Sequence, residues 1–200
     1  MSLFAFGNRK LPNTTAIFNM SSAQQCPSNG LGLCQLADPN KCYALKAERM
    51  YKAVLPYRHR QSLFWANCKP TEFVSQLLKE IGRKKIKHLR LNEAGDFFAQ
   101  KCVRKAEQIA KLLKEKHNIT TYVYTARKDL NFSRRRFLIV NGSNFMVDNR
   151  FTSVDCKEKA GQQTMKDALH AEGQAICIGD CRKCRICSVR GGLEVFVKQH

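Results

Sequence analysis

The stretch Ile86-Lys87-His88-Leu89-Arg90-Leu91-Asn92-Glu93-Ala94-Gly95-Asp96 joins an alternating run to a polar turn. Apolar residues at every second position predict a β-strand over 86–91. Apolar residues at helical spacing predict a helix from about Gln100 to Lys116, and residues 120–125 predict the next strand. A strand, a helix and a second strand in this order predict that the two strands pair in parallel.

The same alternation extends along the chain in both directions. Further strands are predicted at 13–18, 137–140, 145–147 and 174–178. Further helices are predicted over 43–55, 58–67, 70–81 and 157–170, and Pro56 is expected to kink or end the first of them. The pattern predicts an α/β fold with a mostly parallel sheet, formed by a single domain of residues 1–200.

Residues that can do chemistry repeatedly follow directly after a predicted strand. They are Cys26, Glu93, Asp96, Arg127, Asp129, Asn141, Ser143 and the last four cysteines. A doubly wound open sheet would explain the alternation of strands and helices as well. In a barrel, however, the carboxyl ends of the strands meet at one rim, so the repetition favours a partial, open βα barrel.

The C-terminal segment 177–192 is rich in cysteine. Cys177, Cys181, Cys184 and Cys187 have the spacing C-x3-C-x2-C-x2-C. Short gaps of this kind suit the ligands of a cubane iron–sulfur cluster, whereas structural zinc usually takes two C-x2-C pairs separated by a longer loop. Two disulfides over these gaps would be strained. We therefore predict a metal centre here, an iron–sulfur cluster with zinc as the alternative, and expect the nearby basic residues to offset its negative charge.

Three further cysteines lie in the long loop after the first predicted strand. Cys26, Cys34 and Cys42 are separated by seven residues in each case. Long loops inside a compact domain are usually functional, but widely spaced cysteines are also common as buried structural residues. Three thiolates would leave one iron of a cubane cluster without a protein ligand. The sequence therefore leaves open whether the chain holds one cluster or two.

The chain is strongly basic, with a formal net charge of +19 from 35 Lys and Arg against 16 Asp and Glu. Such an excess favours a polyanionic partner, and nucleic acid, DNA or RNA, is the commonest one. The charge is clustered, most clearly in Arg83-Lys84-Lys85 and in Arg134-Arg135-Arg136, which are the predicted contacts. The alternative is a generally basic protein with no such partner.

Several motifs together resemble one known family. They are Cys26-x7-Cys34-x7-Cys42-Tyr43-Ala44, Leu91-Asn92-Glu93-Ala94-Gly95-Asp96-Phe97, Tyr124-Thr125-Ala126-Arg127 and the terminal cysteine run. The chain resembles the uncharacterised phage and plasmid family called gene product eighty-eight over nearly its whole length. That family name implies no biochemical activity.

A more distant resemblance is to radical SAM enzymes, whose partial βα barrels hold a 4Fe–4S cluster through three cysteines after the first strand. It implies a 4Fe–4S cluster on Cys26, Cys34 and Cys42, with S-adenosylmethionine as a further cofactor. Asn92, Glu93, Asp96 and Arg127 would then be the catalytic residues. Glu93 would bind an amino group of S-adenosylmethionine or substrate, and Arg127 a carboxylate or phosphate.

The start of the chain lacks the layout of a signal peptide, and no apolar run approaches membrane-spanning length. We therefore expect reduced cysteines, no membrane partner and a cytoplasmic location, the host cytoplasm if the gene belongs to a phage or plasmid.

Three functions remain open from the sequence. The first is an iron–sulfur enzyme acting on nucleic acid, by radical SAM-like chemistry or through an open iron. The second is a non-enzymatic iron–sulfur or zinc module that binds nucleic acid. The third is a nuclease in which Glu93, Asp96 and Asp129 bind a divalent cation.

Overall fold

A computed structural model describes residues 2–199 of the chain. The strands are β1 Ala5–Phe6, β2 Thr15–Phe18, β3 His88–Leu91, β4 Thr120–Thr125, β5 Ile139–Ser143, β6 Asn149–Val154, β7 Gln174–Ile176 and β8 Glu194–Lys198. The helices are α1 Pro27–Gly30, α2 Tyr43–Met50, α3 Val54–Asn67, α4 Pro70–Ile81, α5 Gln100–His117 and α6 Lys159–Asp167, with a 3₁₀ turn at Ile186–Ser188.

All eight strands form one sheet in the order β1-β2-β3-β4-β5-β6-β8-β7. Only β1 pairs antiparallel with its neighbour, and every other pair is parallel. Strands β2 to β6 are adjacent in the order in which they occur in the sequence, and β8 inserts between β6 and β7. The prediction of an α/β fold with a mostly parallel sheet is confirmed, and the sheet is open.

The long helices cover one face of this sheet. Parallel partners in register point to the same side, so the pairings fix which residues share a face. Phe18, Leu89, Leu91, Val123 and Val140 lie in one core with buried residues of α3, α4 and α5. On the same face, α6 contributes to a smaller cluster with the apolar residues of β6, β7 and β8. A doubly wound sheet has helices on both faces, so this arrangement differs from it.

The α2–α3 region corrects one prediction. Helix α2 ends at Met50, five residues earlier than expected, and α3 begins at Val54, before Pro56. Proline is tolerated in the first turn of a helix, because the amide hydrogens there have no partner within the helix. Pro56 therefore lies in the first turn of α3 and does not end a helix.

The link from β5 to β6 is unusually short for parallel strands, which ordinarily need a dozen or more residues to reconnect. Only residues 144–148 join them, and Asn144 has a positive φ of 65°. A Cβ on Gly142 would lie 2.1 Å from the carbonyl oxygen of Phe145, so the loop folds directly over the strand. The predicted strand 145–147 is wrong because these residues form the return loop, and strands β6 and β8 were not predicted.

No helix within residues 2–199 combines the length and the apolar character that a membrane crossing requires.

Candidate functional site

The face of the sheet opposite α3, α4 and α5, the helix-free face, carries a cation among aromatic rings. Arg90 of β3 places its guanidinium carbon 5.0 Å from the centre of the Tyr124 ring on the neighbouring strand. The Tyr124 ring in turn packs edge-on against Phe151 at 5.0 Å. The Nε of Arg90 is buried and has no hydrogen-bond partner among the described residues. Aromatic faces attract a cation, so these rings hold a positive charge on the helix-free face.

The cysteine-rich segment crosses this same face. The amide of Cys181 donates to the carbonyl of Lys10 at 3.0 Å. Asn141 of β5 donates its side-chain amide to the carbonyl of Cys187 at 3.0 Å. Asn149 of β6 donates to the carbonyl of Val189 at 2.9 Å. Asparagine side chains on two strands therefore fix the backbone of the segment against the sheet.

All four cysteines of the segment line one cavity of about 540 Å³. Its other wall consists of residues at the amino ends of β2, β3 and β4 and at the end of α5. They include Leu11, Pro12, Thr14, Thr15, Lys87, His88, Lys114, Asn118, Thr120 and Tyr122. The terminal cysteines thus lie against the amino ends of these strands, and the prediction that they join the other candidate residues at the carboxyl rim is wrong.

The sheet topology explains this location. Strands β7 and β8 are parallel neighbours, so the chain must return from the carboxyl end of β7 to the amino end of β8. Residues 177–193 are that return path. Since the helices occupy the opposite face, the cysteines are carried across the helix-free face toward the amino ends of the central strands.

Burial raises the pKa of two of the terminal thiols, Cys181 and Cys187. Burial raises the pKa of Cys181, the nearby Cys177 and Cys184 raise it further, and Arg90 opposes them. Burial also raises the pKa of Cys187 to about 11, although a hydrogen bond from Tyr124 and the charge of Arg90 lower it. A metal must therefore displace protons here, and Arg90 stabilises the thiolates that result.

In the part of the chain that the structure describes, no group of three or more His, Cys, Asp or Glu side chains lies close enough to hold a metal ion. The four terminal thiols share a cavity without converging on a point. Ligation at this site requires their side chains to turn toward one another.

The other cysteine group lies at the carboxyl ends of the strands. Burial raises the pKa of Cys26 to about 12, and the negative charge of Asp96 and the neighbouring Cys34 add to the increase. Burial likewise raises the pKa of Cys34, with further contributions from Cys42 and Asp96. Cys34 thus lies near both Cys26 and Cys42, and the buried carboxyl group of Asp96 lies beside them.

Asp96 is a structural centre of this region, not a free carboxylate. One oxygen accepts from the Thr125 hydroxyl at 2.6 Å and the Phe97 amide at 2.8 Å. The other accepts from the Ser28 hydroxyl at 2.6 Å and the Ala126 amide at 2.8 Å. Burial raises the pKa of Asp96 against these hydrogen bonds. The carboxyl group joins the cysteine loop to the ends of β3 and β4.

The turn that carries Asp96 is held closely against the chain. Gly95 has a φ of +73°, and a Cβ there would lie 2.1 Å from the Ser21 hydroxyl oxygen. Asn92 also has a positive φ, and its side-chain oxygen accepts from the Met20 amide at 3.4 Å. Glu93 accepts from the Asn8 side chain at 2.8 Å. The polar turn after β3 is therefore engaged with the N-terminal part of the chain.

Arg127 is buried and serves as an internal clamp. Two of its nitrogens bind the carboxylate of Asp129 at 2.8 and 2.7 Å, and a third donates to the carbonyls of Phe97 and Phe98. The hydrogen bond with Arg127 lowers the pKa of Asp129. The donors that the radical SAM resemblance assigns to a ligand thus bind acceptors within the chain.

The two predicted basic clusters differ in their availability. Arg83, Lys84 and Lys85 are exposed in the loop between α4 and β3. Arg135 forms an ion pair with Asp148, and both side chains are 8% exposed, so the middle residue of the arginine triplet is engaged. Its neighbours Arg134 and Arg136 remain exposed.

Sequence reasoning missed the residues of the helix-free face. His88, Arg90, Tyr122, Tyr124 and Asn141 share that face by strand pairing. A signal was present, because these residues alternate with the apolar ones that face the helices. The terminal segment covers only some of these residues. Which ones it covers depends on the path of residues 177–193, and local periodicity gives no information on that path.

Comparison with known proteins adds a family but no activity. No curated protein and no solved structure matches the chain, and the radical SAM resemblance is not supported. The family described as Gene product 88 matches residues 2–147, which include β1 to β5 and the three N-terminal cysteines but end before the terminal cysteine run. The resemblance is therefore shorter than the sequence motifs indicated. Since the match spans more than half of the sequence, the chain belongs to the Gene product 88 family.

Proposed function

We propose that this protein binds a 4Fe–4S cluster through Cys177, Cys181, Cys184 and Cys187, and that it binds nucleic acid. The observation that carries the proposal is the shared cavity, because all four thiols of one short run line it. The cavity lies on the helix-free face of what we interpret as a partial βα barrel.

The electrostatic surroundings support an anionic centre with four thiolate ligands, and the short cysteine spacing favours an iron–sulfur cluster over zinc. A cluster held by four thiolates is anionic, and its net charge and surrounding hydrogen bonds set its stability and potential. Arg90 acts on both Cys181 and Cys187, and a hydrogen bond from Tyr124 also stabilises the Cys187 thiolate. Zinc in the same four-thiolate site, without redox chemistry, is the second candidate.

Four protein ligands leave no open iron, so this cluster would stabilise the fold or transfer electrons. We therefore favour a nucleic-acid-binding iron–sulfur protein over a Lewis-acid or radical enzyme. An enzyme with S-adenosylmethionine would need a second cluster on Cys26, Cys34 and Cys42, next to the buried Asp96. A nuclease centre is disfavoured because the oxygens of Asp96 and Asp129 bind donors within the chain.

Purification without oxygen tests the proposal. We expect a brown protein with a broad absorption band at about 400 nm and with iron and sulfide in comparable amounts. Replacing Cys184 by Ala should remove most of the iron. Replacing Cys156, a free cysteine outside both groups, by Ala is the matched control and should leave the iron content unchanged. A colourless protein that contains zinc would replace the iron–sulfur cluster with the zinc site. A protein that contains neither iron nor zinc would refute the metal-binding proposal.

A further inference from the structure

The cavity beside the terminal cysteines has an unbalanced positive charge. Lys87, Lys114, Arg182 and Arg185 line it, and Asp180 is the single acidic residue among its described lining residues. Asp180 already pairs with Arg182 at 2.7 Å. Three basic side chains of the wall therefore lack an acidic partner within the cavity.

The pKa of His88, which also lines the cavity, is affected by the same positive charges. Burial lowers the pKa of this imidazole, and the charges of Arg185, Lys87 and Lys114 lower it further. The three cations thus act together on one point of the cavity wall. Thr14, Thr15 and Thr120 line the same cavity, and their hydroxyl groups are neutral donors. Cations combined with hydroxyl donors form the type of surface that contacts phosphate oxygens in nucleic-acid complexes.

The basic surface continues beyond the cavity along the amino edge of the sheet. The exposed Arg83, Lys84 and Lys85 precede Lys87 in the loop from α4 to β3. A single small anion would need only the cavity. Exposed cations in the loop that leads to Lys87 instead fit a chain of phosphates.

The half-buried His88 gives the cavity an aromatic ring. This ring meets the buried Tyr122 ring edge to face, with the two centres 6.4 Å apart. Aromatic rings bind unpaired bases by stacking, whereas the bases of a duplex are already stacked on each other. The volume of about 540 Å³ lies within the range of small-ligand pockets.

We propose that this cavity and the adjoining amino edge bind single-stranded nucleic acid, with Lys87, Lys114 and Arg185 contacting its phosphates. The inference rests on the nucleic-acid half of the proposed function and gives it a location and a substrate class. It moves the expected contact away from the arginine triplet at 134–136 and toward the cysteine segment.

The experiment compares two variants with the same loss of charge. The cavity variant carries Lys87→Gln, Lys114→Gln and Arg185→Gln. The control carries Lys46→Gln, Arg49→Gln and Lys52→Gln, which are exposed residues in and after α2, away from the amino edge. Binding of a fluorescein-labelled 20-nucleotide DNA, the RNA of the same sequence and the corresponding DNA duplex is measured by fluorescence anisotropy over a series of KCl concentrations.

We expect the cavity variant to lose at least about tenfold in affinity for the single strands and the control to lose less than about threefold. The slope of log affinity against log salt should fall by roughly 2 in the cavity variant, since each lost contact to a single strand removes about 0.7. Equal losses in both variants would refute the location. Tighter binding of the duplex than of either single strand, or no binding by the wild type at low salt, would refute the substrate class.

Iron content separates this inference from the cluster proposal. The cavity variant should retain its iron and its absorption band. If it loses iron while nucleic-acid affinity is unchanged, the cations serve to balance the cluster and the inference is wrong. If the wild type holds no metal but the cavity variant still loses binding, the inference stands without the cluster. Should the triple variant fail to fold, the single charge reversal Lys87→Glu at an exposed position provides the same comparison.

Discussion

The two cysteine groups lie at opposite ends of the same strands and in opposite electric fields. Cys26, Cys34 and Cys42 surround the carboxyl ends, where the buried Asp96 raises the pKa of the first two. Cys181 and Cys187 lie on the helix-free face, where Arg90 opposes the increase in their pKa. Burial is the largest cause of the raised pKa in both groups, so the two groups differ in the sign of the neighbouring charge.

The largest expected difference between the groups is in bound iron. Replacing Cys181, Cys184 or Cys187 singly by Ala removes one of four ligands, so iron per protein should fall to less than about a tenth, with loss of stability, because metal binding is coupled to folding. Iron analysis and thermal unfolding measure both effects. Full iron occupancy and unchanged melting in all three variants would eliminate the terminal site.

Asp96 should dominate the stability of the N-terminal group. Each of its oxygens accepts one backbone amide, so Asp96→Asn places an NH₂ against an N–H in either orientation of the new side chain. We expect a loss of about 2–4 kcal/mol in unfolding free energy, measured by urea denaturation.

Asp129→Asn is the matched control for that experiment, since its side chain is 42% exposed and its loss should cost about 0–1 kcal/mol. Equal costs for the two variants would mean that Asp96 does not organise the cysteine loop.

Tyr124 should change the potential of the proposed terminal cluster without being one of its ligands. Tyr124→Phe removes the hydrogen bond to Cys187, and a donor to a ligand sulfur favours the reduced cluster. The midpoint potential should fall by roughly 60 mV, which is a tenfold change for one electron, with iron content unchanged. A redox titration followed by electron paramagnetic resonance measures it. Tyr122→Phe on the same strand is the control, and an equal shift there would point to a general loss of polarity.

Measuring thiol reactivity in the metal-free protein tests how the neighbouring charges affect Cys26 and Cys187. With pKa values of about 12 for Cys26 and about 11 for Cys187, both are protonated at pH 8, and iodoacetamide labelling of each should rise about tenfold per pH unit up to pH 10. Arg90→Gln should raise the pKa of Cys187 further and slow its labelling a few-fold, with no change at Cys26. Mass spectrometry of the labelled peptides distinguishes the sites, and equal slowing of both cysteines would contradict the separate fields.

The smallest expected effect is that of the N-terminal thiols on iron. Replacing Cys26, Cys34 and Cys42 together by Ser should leave iron per protein within about a fifth of the wild-type value, with a loss of about 1–3 kcal/mol from their partly buried positions. Iron analysis beside a terminal-run variant decides between one centre and two. A fall of iron by half would demonstrate a second cluster and would restore the open-iron enzyme hypothesis.

Much of the sheet could be predicted because its signals are local. Strand β4 occurs at the predicted residues 120–125, and α4 over Pro70–Ile81 follows its apolar stripe. Strand β6 was missed because it is mostly polar, and its stability comes from the neighbours it pairs with. Strand β8 was also missed, although its Val195-Phe196-Val197 run is a local strand signal.

The sequence identified the terminal cysteines of the candidate site, but neither its other residues nor its arrangement. The three N-terminal cysteines, Asp96 and Arg127 do lie near the carboxyl ends, as the order of strands and loops indicated. The terminal cysteines do not, because their location depends on where β8 inserts. Arg127 and Asp96 are also engaged in internal hydrogen bonds, and the sequence gives no sign of whether a charged residue has a partner within the chain.

The insertion of β8 between β6 and β7 has a consequence for the order of assembly. Strand β7 reaches the sheet only through β8, although it precedes β8 in the sequence. The cysteine segment between them therefore stays loose until β8 has docked beside β6, and loop closure over residues 154–194 must come first. Metal binding would then stabilise the last step of folding. In a chain without iron, strands β1 to β6 should refold while β7 and β8 remain frayed.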